Sequence, residues 1–216
     1  MVQHRSRAAT SHNGNNGKRP PGRPRSEESR QAILRSTLKL LREPGGFADL
    51  GIEAIAADAG VSKATVYRWW PTKAALVADA FSASAAEELR FPDTGSVISD
   101  MSLQMRRLIH IFRSPRGKVV AALLAGGQSD PGLIEAFRER FLWPRRRQAY
   151  KTLQRGIDRG ELPQGSDLDL ILDSLYGPIY MRFLIRHDDL HEGFADELCS
   201  LILSRPAPAR AGARAR

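Results

Sequence analysis

Between Ser62 and Lys73 the sequence sets out side chains suited to reading double-stranded DNA: Ser62, Lys63, Ala64, Thr65, Tyr67, Arg68, Trp69 and Lys73. Ala64 and Thr65 are short, so a backbone carrying them can come close to base edges, and a methyl can meet a thymine methyl. Arg68 has the planar fork that pairs bidentately with guanine, an interaction worth about 1–3 kcal/mol of discrimination. Tyr67 and Lys73 suit phosphate oxygens, which fix register without reading sequence. The competing reading is a solvated helix face with no partner.

The flanking residues say how such a face would be held. Ile55, Ala56 and Ala59 form one apolar stripe at helical period. Gly60 stops that helix, because a residue without Cβ takes the left-handed conformation cheaply. Val61 closes the turn, and Ser62 is suited to cap the next helix with its hydroxyl. Val66 and Trp70, four apart, share that helix's buried face. The expected unit is a helix, a sharp turn and a second helix sized for a major groove.

The run Ala-Gly-Val-Ser-Lys-Ala-Thr-Val-Tyr-Arg-Trp-Trp-Pro-Thr-Lys-Ala-Ala-Leu, residues 59–76, resembles the signature of the tetracycline-repressor-like (TetR) family of bacterial transcription regulators. The resemblance extends closely from Ser26 to Phe81. Two residues depart from the family pattern. Gly51 stands where a Thr or Ser usually caps the helix-turn-helix, at a cost of a few tenths of a kcal/mol. Trp69 stands where His or Tyr is common, so a phosphate or sugar contact there passes to an indole N–H or is lost. The resemblance implies a cytoplasmic homodimer on an inverted-repeat operator, most often a repressor released by a small-molecule effector.

Composition narrows the alternatives. The 216 residues carry a formal net charge of +9, and its location matters more than its size. Residues 1–25 hold six cations and no acid, and residues 205–216 hold four and no acid. The body between them therefore has 23 cations against 24 acids. Basic arms on a near-neutral body suit a nucleic-acid binder; solubilising tails are the plain alternative. The single cysteine, Cys199, excludes an internal disulfide and a multi-cysteine zinc site. No apolar run reaches the ~18–20 residues of a membrane span, and no signal-peptide core is present, so a cytoplasmic protein is expected.

Four regions are expected. Residues 1–25 form a disordered basic arm, in which Arg23 and Arg25 flank Pro24 like a minor-groove arm. Residues 26–90 form the DNA-binding domain, with Ser26 capping its first helix and Phe47 plugging its core. A fourth helix, from Lys73 to about Leu89, connects it onward. Residues 91–204 form a helical ligand-binding and dimerisation domain, and residues 205–216 a disordered basic tail. Expected helices run from Val97 to Arg113, Lys118 to Gln128, Asp130 to Arg159 with an interruption at Pro144, Asp167 to Ile185, and Leu190 to Leu203. No stretch has strand periodicity, so the fold class is all-α.

The C-terminal half resembles the TetR family more loosely, through Arg159-Gly160-Glu161-Leu162 and Gly177-Pro178-Ile179-Tyr180-Met181-Arg182. That resemblance implies pairing of the last two helices into a four-helix bundle, and Leu168, Ile171, Leu172, Leu175, Ile179 and Phe183 are the expected interface. It also implies a pocket. Candidate linings are Met101, Met105, Phe112, Phe141, Trp143, Tyr180 and Met181, for which a hydrophobic effector is expected; plain core is the alternative. His187 and His191 are spaced to share a metal if helical, but they fall in a turn, and no metal or cofactor is expected. Phosphate-loop, nucleophile-elbow and dinucleotide glycine motifs are absent from the sequence, so no enzyme is expected. Two rival functions remain: a helical small-molecule binder with a vestigial DNA unit, and a low-specificity DNA binder driven by its tails.

Overall fold

The computed structural model describes residues 24–204, and all regular structure among them is helical. The basic arm through Arg23 and the basic tail lie outside the described residues.

Helix α1, Pro24–Leu40, starts ahead of Ser26, the expected cap. Pro24 takes the first helical position, where its missing N–H would have had no helical partner anyway. Ile33, Leu34, Thr37 and Leu41 are buried, and the Thr37 hydroxyl donates back to the Ile33 carbonyl at 2.8 Å. A short helix α2, Gly46–Asp49, follows a turn in which Gly45 and Gly46 both have positive φ. It carries Phe47 to the edge of the core, half-buried, where a central plug was expected.

Helices α3, Ile52–Asp58, and α4, Lys63–Trp69, form the helix-turn-helix. Gly60 has φ +65°. Its N–H donates to Ala57 at 3.2 Å and the Val61 N–H to Ala56 at 2.9 Å, the paired bonds of a Schellman ending. Ser62 caps α4, accepting from the Thr65 N–H at 3.2 Å. Val66 and Trp70 are sealed in the core.

Helix α5, Lys73–Ala85, is capped by Thr72. Its buried residues Ala74, Ala75, Leu76, Val77, Ala78, Ala80 and Phe81 leave almost no outward face, because α5 packs against α1 on one side and the C-terminal helices on the other. The helix ends short of Leu89, which is nevertheless fully buried.

Helix α6, Val97–Arg113, is capped by Ser96. Helix α7 spans Pro115–Gly126, earlier than the expected Lys118 start, since Pro115 again serves as an opening residue and Ser114 caps it. Helix α8, Pro131–Phe137, runs through a π turn, Arg138–Leu142, into α9, Trp143–Asp158. The expected interruption at Pro144 is thus a widened turn. Pro144 cannot donate to the carbonyl four residues back, and the π turn just before it absorbs the mismatch without breaking the helix. Gly156 lets α9 approach α6; a Cβ there would sit 2.8 Å from Val97 Cβ. Helices α10, Leu168–Ile185, and α11, Gly193–Leu203, complete the chain. The segment between them is not helical, so His187 and His191 do not share a helix face.

Candidate DNA-reading face and effector cavity

The turn between α3 and α4 fixes what α4 presents. With Val66 and Trp70 inward, Ser62, Lys63, Ala64, Tyr67, Arg68 and Trp69 are exposed and Thr65 is half-exposed. Tyr67 and Trp69 keep 50% and 36% of their surface open, a large aromatic exposure for one short helix. Lys63 pairs with Glu53 across the motif, and that hydrogen bond holds the Glu53 carboxyl below its ordinary range. Arg68 makes no hydrogen bond or ion pair to another described residue, so its fork is available to a base. Arg25 falls on the first turn of α1.

Lys73 sits differently. Its ammonium donates to the Phe47 carbonyl at 2.9 Å and lies 4.5 Å from the Phe47 ring centroid. It ties α5 to α2, and any phosphate contact has to compete with that tie.

Just past α4, the Trp70 indole donates to Asp79 Oδ2 at 2.7 Å. Arg140, in the π turn, donates to the same oxygen at 2.8 Å. The DNA-binding unit meets the C-terminal helices at further points on and after α5. Arg116 pairs with Glu88 at 2.6 Å and donates to the Ser84 carbonyl at 3.2 Å. Arg145 donates to the carbonyls of Leu89 and Ala86 at 2.8 and 3.5 Å.

Next to this seam lies a cavity of about 60 Å³, room for a few waters. Leu89, Leu108, Phe141 and Leu172 supply its apolar walls, and Gln104, Arg145, Tyr176 and Tyr180 its polar groups. The Tyr176 hydroxyl donates to Gln104 Oε1 at 2.5 Å. Burial pushes both phenols well above the ordinary tyrosine value, so both stay neutral. Arg146 also reaches the wall but is spoken for by Asp169 and Asp173 at 2.5 and 2.8 Å.

Of the residues expected in a pocket, Phe141 and Tyr180 line this cavity. Met101 and Met105 are core, with Met105 Sδ 3.6 Å from Cys199 Sγ. Phe112 stacks on Phe183, ring centroids 4.1 Å apart, and borders a separate groove. Trp143 and Met181 are exposed. Gln104, Arg145 and Tyr176 were not anticipated. Three adjacent arginines, 145 to 147, gave no sign that the first turns inward.

The expected dimer residues lie inward. Leu172, Leu175, Ile179 and Phe183 are buried within the protomer, and Leu168 and Ile171 are half-buried against the same core. The exposed apolar stripe lies on the opposite side of α10, through Leu170, Gly177, Met181, Leu184 and Ile185, and continues to Leu201 on α11. Helix α10 carries apolar residues on two opposite faces, and sequence periodicity does not say which of them looks inward.

A capped helix-turn-helix with an outward aromatic and arginine face, seated on a helical domain with a cavity, defines a DNA-binding regulator. Residues 33–80 match the family described as bacterial regulatory proteins, tetR family, and residues 91–202 match the tetracyclin repressor-like C-terminal domain. The chain belongs to the TetR family of transcriptional regulators. It is 41% identical over 177 residues to the uncharacterised HTH-type regulator YdeS of Bacillus subtilis, covering 82% of this chain and 89% of that one. Among solved structures, the TetR-family regulator SCO0332 superimposes with a TM-score of 0.74 at 33% identity, covering 84% of this chain and all of that one. FadR of B. subtilis, solved in complex with stearoyl-CoA, shares the fold at a TM-score of 0.60 and 19% identity, over 81% of this chain and 97% of that one.

Proposed function

We propose that this protein is a homodimeric, sequence-specific repressor whose hold on an inverted-repeat operator is weakened by a small molecule entering the cavity. Arg68, with Ala64 and Thr65 beside it, reads base edges. Tyr67 and Trp69 flank them at the backbone. The exposed α10–α11 stripe pairs two copies, setting the recognition helices about 34–36 Å apart, one DNA turn.

The observation that carries the ligand response is the shared oxygen of Asp79. An occupant larger than about 60 Å³ displaces Phe141 and Leu142, the cavity-wall residues that follow Arg140 directly. Arg140 moves with them, and through Asp79 so does Trp70 at the end of the recognition helix. A ligand acts only if its affinity differs between DNA-competent and DNA-incompetent states; this linkage gives it the means. FadR, bound to stearoyl-CoA, supports ligand binding as a use of the fold.

The test is selection of bound duplexes from a random pool at near-physiological salt. One inverted repeat is the expected outcome. Enrichment of A/T-rich DNA alone, with affinity lost on removing residues 1–23, would instead favour the tails as the binding agent.

A further inference from the structure

The cavity's one uncompensated charge narrows what can occupy it. Arg145 reaches the wall with no carboxylate within ion-pairing distance among the described residues, whereas the neighbouring Arg146 has two. Its hydrogen bonds go to the carbonyls of Ala86 and Leu89, which follow α5 and carry only partial charge, and its guanidinium carbon lies 6.0 Å from the Phe141 ring centroid. A guanidinium has five N–H donors, so these two bonds leave others unused. Tyr180 lines the same cavity, and its hydroxyl makes no hydrogen bond to another described residue. Among the described residues, no aspartate or glutamate lines the cavity. Around these donors the wall is apolar: Leu89, Leu108, Phe141 and Leu172.

A half-buried cation without a counter-ion is costly, and a carboxylate offsets that cost best because it accepts bidentately from the guanidinium fork. From the donors and the walls together we infer that the effector is a small apolar monocarboxylic acid. Its carboxylate meets Arg145 and the Tyr180 hydroxyl, and its hydrocarbon body packs against the leucines and Phe141. This rests on the cavity being the effector site. It narrows the hydrophobic effector expected from the sequence, and it sets a limit on selectivity: amines and neutral isosteres of the same shape are poor ligands.

Matched pairs test it directly on the full chain: phenylpropionate against its amide, and octanoate against its amide, by titration calorimetry. At least one acid is expected to bind about tenfold or more tightly than its amide, the margin of a charge-assisted hydrogen bond. Arg145→Gln is expected to bring the acid down to the amide's affinity. Tyr180→Phe, which keeps the ring packing if the arginine variant fails to fold, is expected to weaken the acid several-fold and leave the amide unchanged. Equal affinities within each pair, an acid preference that survives in Arg145→Gln, or no acid binding at all would each overturn the inference. Operator binding is measured separately, by fluorescence anisotropy. Arg145-dependent acid binding that leaves operator affinity unchanged sinks the ligand-release reading but not this one. Release by acid and amide with equal potency sinks this one but not that.

Discussion

The Trp70 indole and the Arg140 guanidinium, seventy positions apart in sequence, donate to one and the same oxygen, Oδ2 of Asp79, at 2.7 and 2.8 Å. One donor closes the recognition helix. The other belongs to the π turn beside the cavity. The carboxylate between them is half-buried, so it depends on both.

That dependence is measurable as a coupling energy. Trp70→Phe and Arg140→Gln each remove one donor and should each cost about 1–2 kcal/mol in urea unfolding. The double variant leaves the carboxylate with neither and should cost more than the two combined, by roughly 0.5–1 kcal/mol. Additivity within about 0.3 kcal/mol would mean that the two halves do not communicate through Asp79.

Arg68 and Lys73 should separate cleanly. Arg68 has no partner among the described residues, so Arg68→Ala should leave stability within about 0.5 kcal/mol of the parent. On the selected operator it should lose about 1–3 kcal/mol of discrimination at one base position. Lys73→Met should lose about 1 kcal/mol of stability, because its ammonium holds the Phe47 carbonyl and ring. Thermal melts beside anisotropy titrations distinguish the two profiles.

Assembly should follow the exposed stripe. Met181→Glu combined with Ile185→Glu places charges on that stripe and should give a helical monomer in sedimentation velocity. Leu175→Ala, inside the protomer, should cost about 2–5 kcal/mol of stability while the remaining folded protein stays dimeric. A dimer that survives the charged pair would place the interface elsewhere.

Asp196 gives a pH signature. Burial alone would raise its carboxyl, but hydrogen bonds from Arg106 and Ser102 outweigh it and hold the carboxyl below the ordinary value. A depressed carboxylate adds stability above its unfolded value near 4 and loses it as pH falls through the folded value. Asp196→Asn should therefore destabilise modestly at pH 7, by less than about 1 kcal/mol because the pair is part-exposed. The gap from the parent should close below about pH 4. Denaturation midpoints across an acid series would show it, and a gap that persists at low pH would mean the carboxylate's charge is not what Arg106 and Ser102 recognise.

The lone thiol should be silent. Cys199 is fully buried, and burial pushes its thiol up to about 11. Ellman's reagent at pH 8 should react with it no faster than the protein opens, and promptly in denaturant. Fast labelling of native protein would mean that α11 detaches readily.

The sequence announced what is local. Gly60, Val61 and Ser62 encode the turn and its cap in three consecutive positions, and Ser96 and Arg113 bracket α6 where periodicity put it. It was silent on what is joined across long separations. Asp79 looked like any solvent-facing helix residue, because one of its two donors, Arg140, lies 61 positions further along the chain. Arg145 shared a run with Arg146 and Arg147, and only the contacts they make, Arg145 with the residues after α5 and Arg146 with α10, divide their roles. The outer stripe of α10 was hidden for another reason: two opposite faces carry apolar residues, so the hydrophobic pattern does not say which of them looks inward. Pro144 signalled a break where a single widened turn sufficed.

Helix α5 is the last element of the DNA-binding unit by sequence, yet Arg140 binds it at Asp79, Arg116 at Ser84, and Arg145 its trailing carbonyl at Ala86. For recombination this sets where the chain is divisible. A chimaera that imports another regulator's operator specificity by exchanging residues up to 90 replaces Asp79 and Glu88, the side-chain acceptors on which Arg140 and Arg116 of the remaining half depend. A splice placed after Trp69 and before Asp79 leaves those acceptors in place, at the expense of the native Lys73–Phe47 tie. The portable cassette in this family member is therefore the helix-turn-helix alone, and α5 belongs mechanically to the C-terminal half.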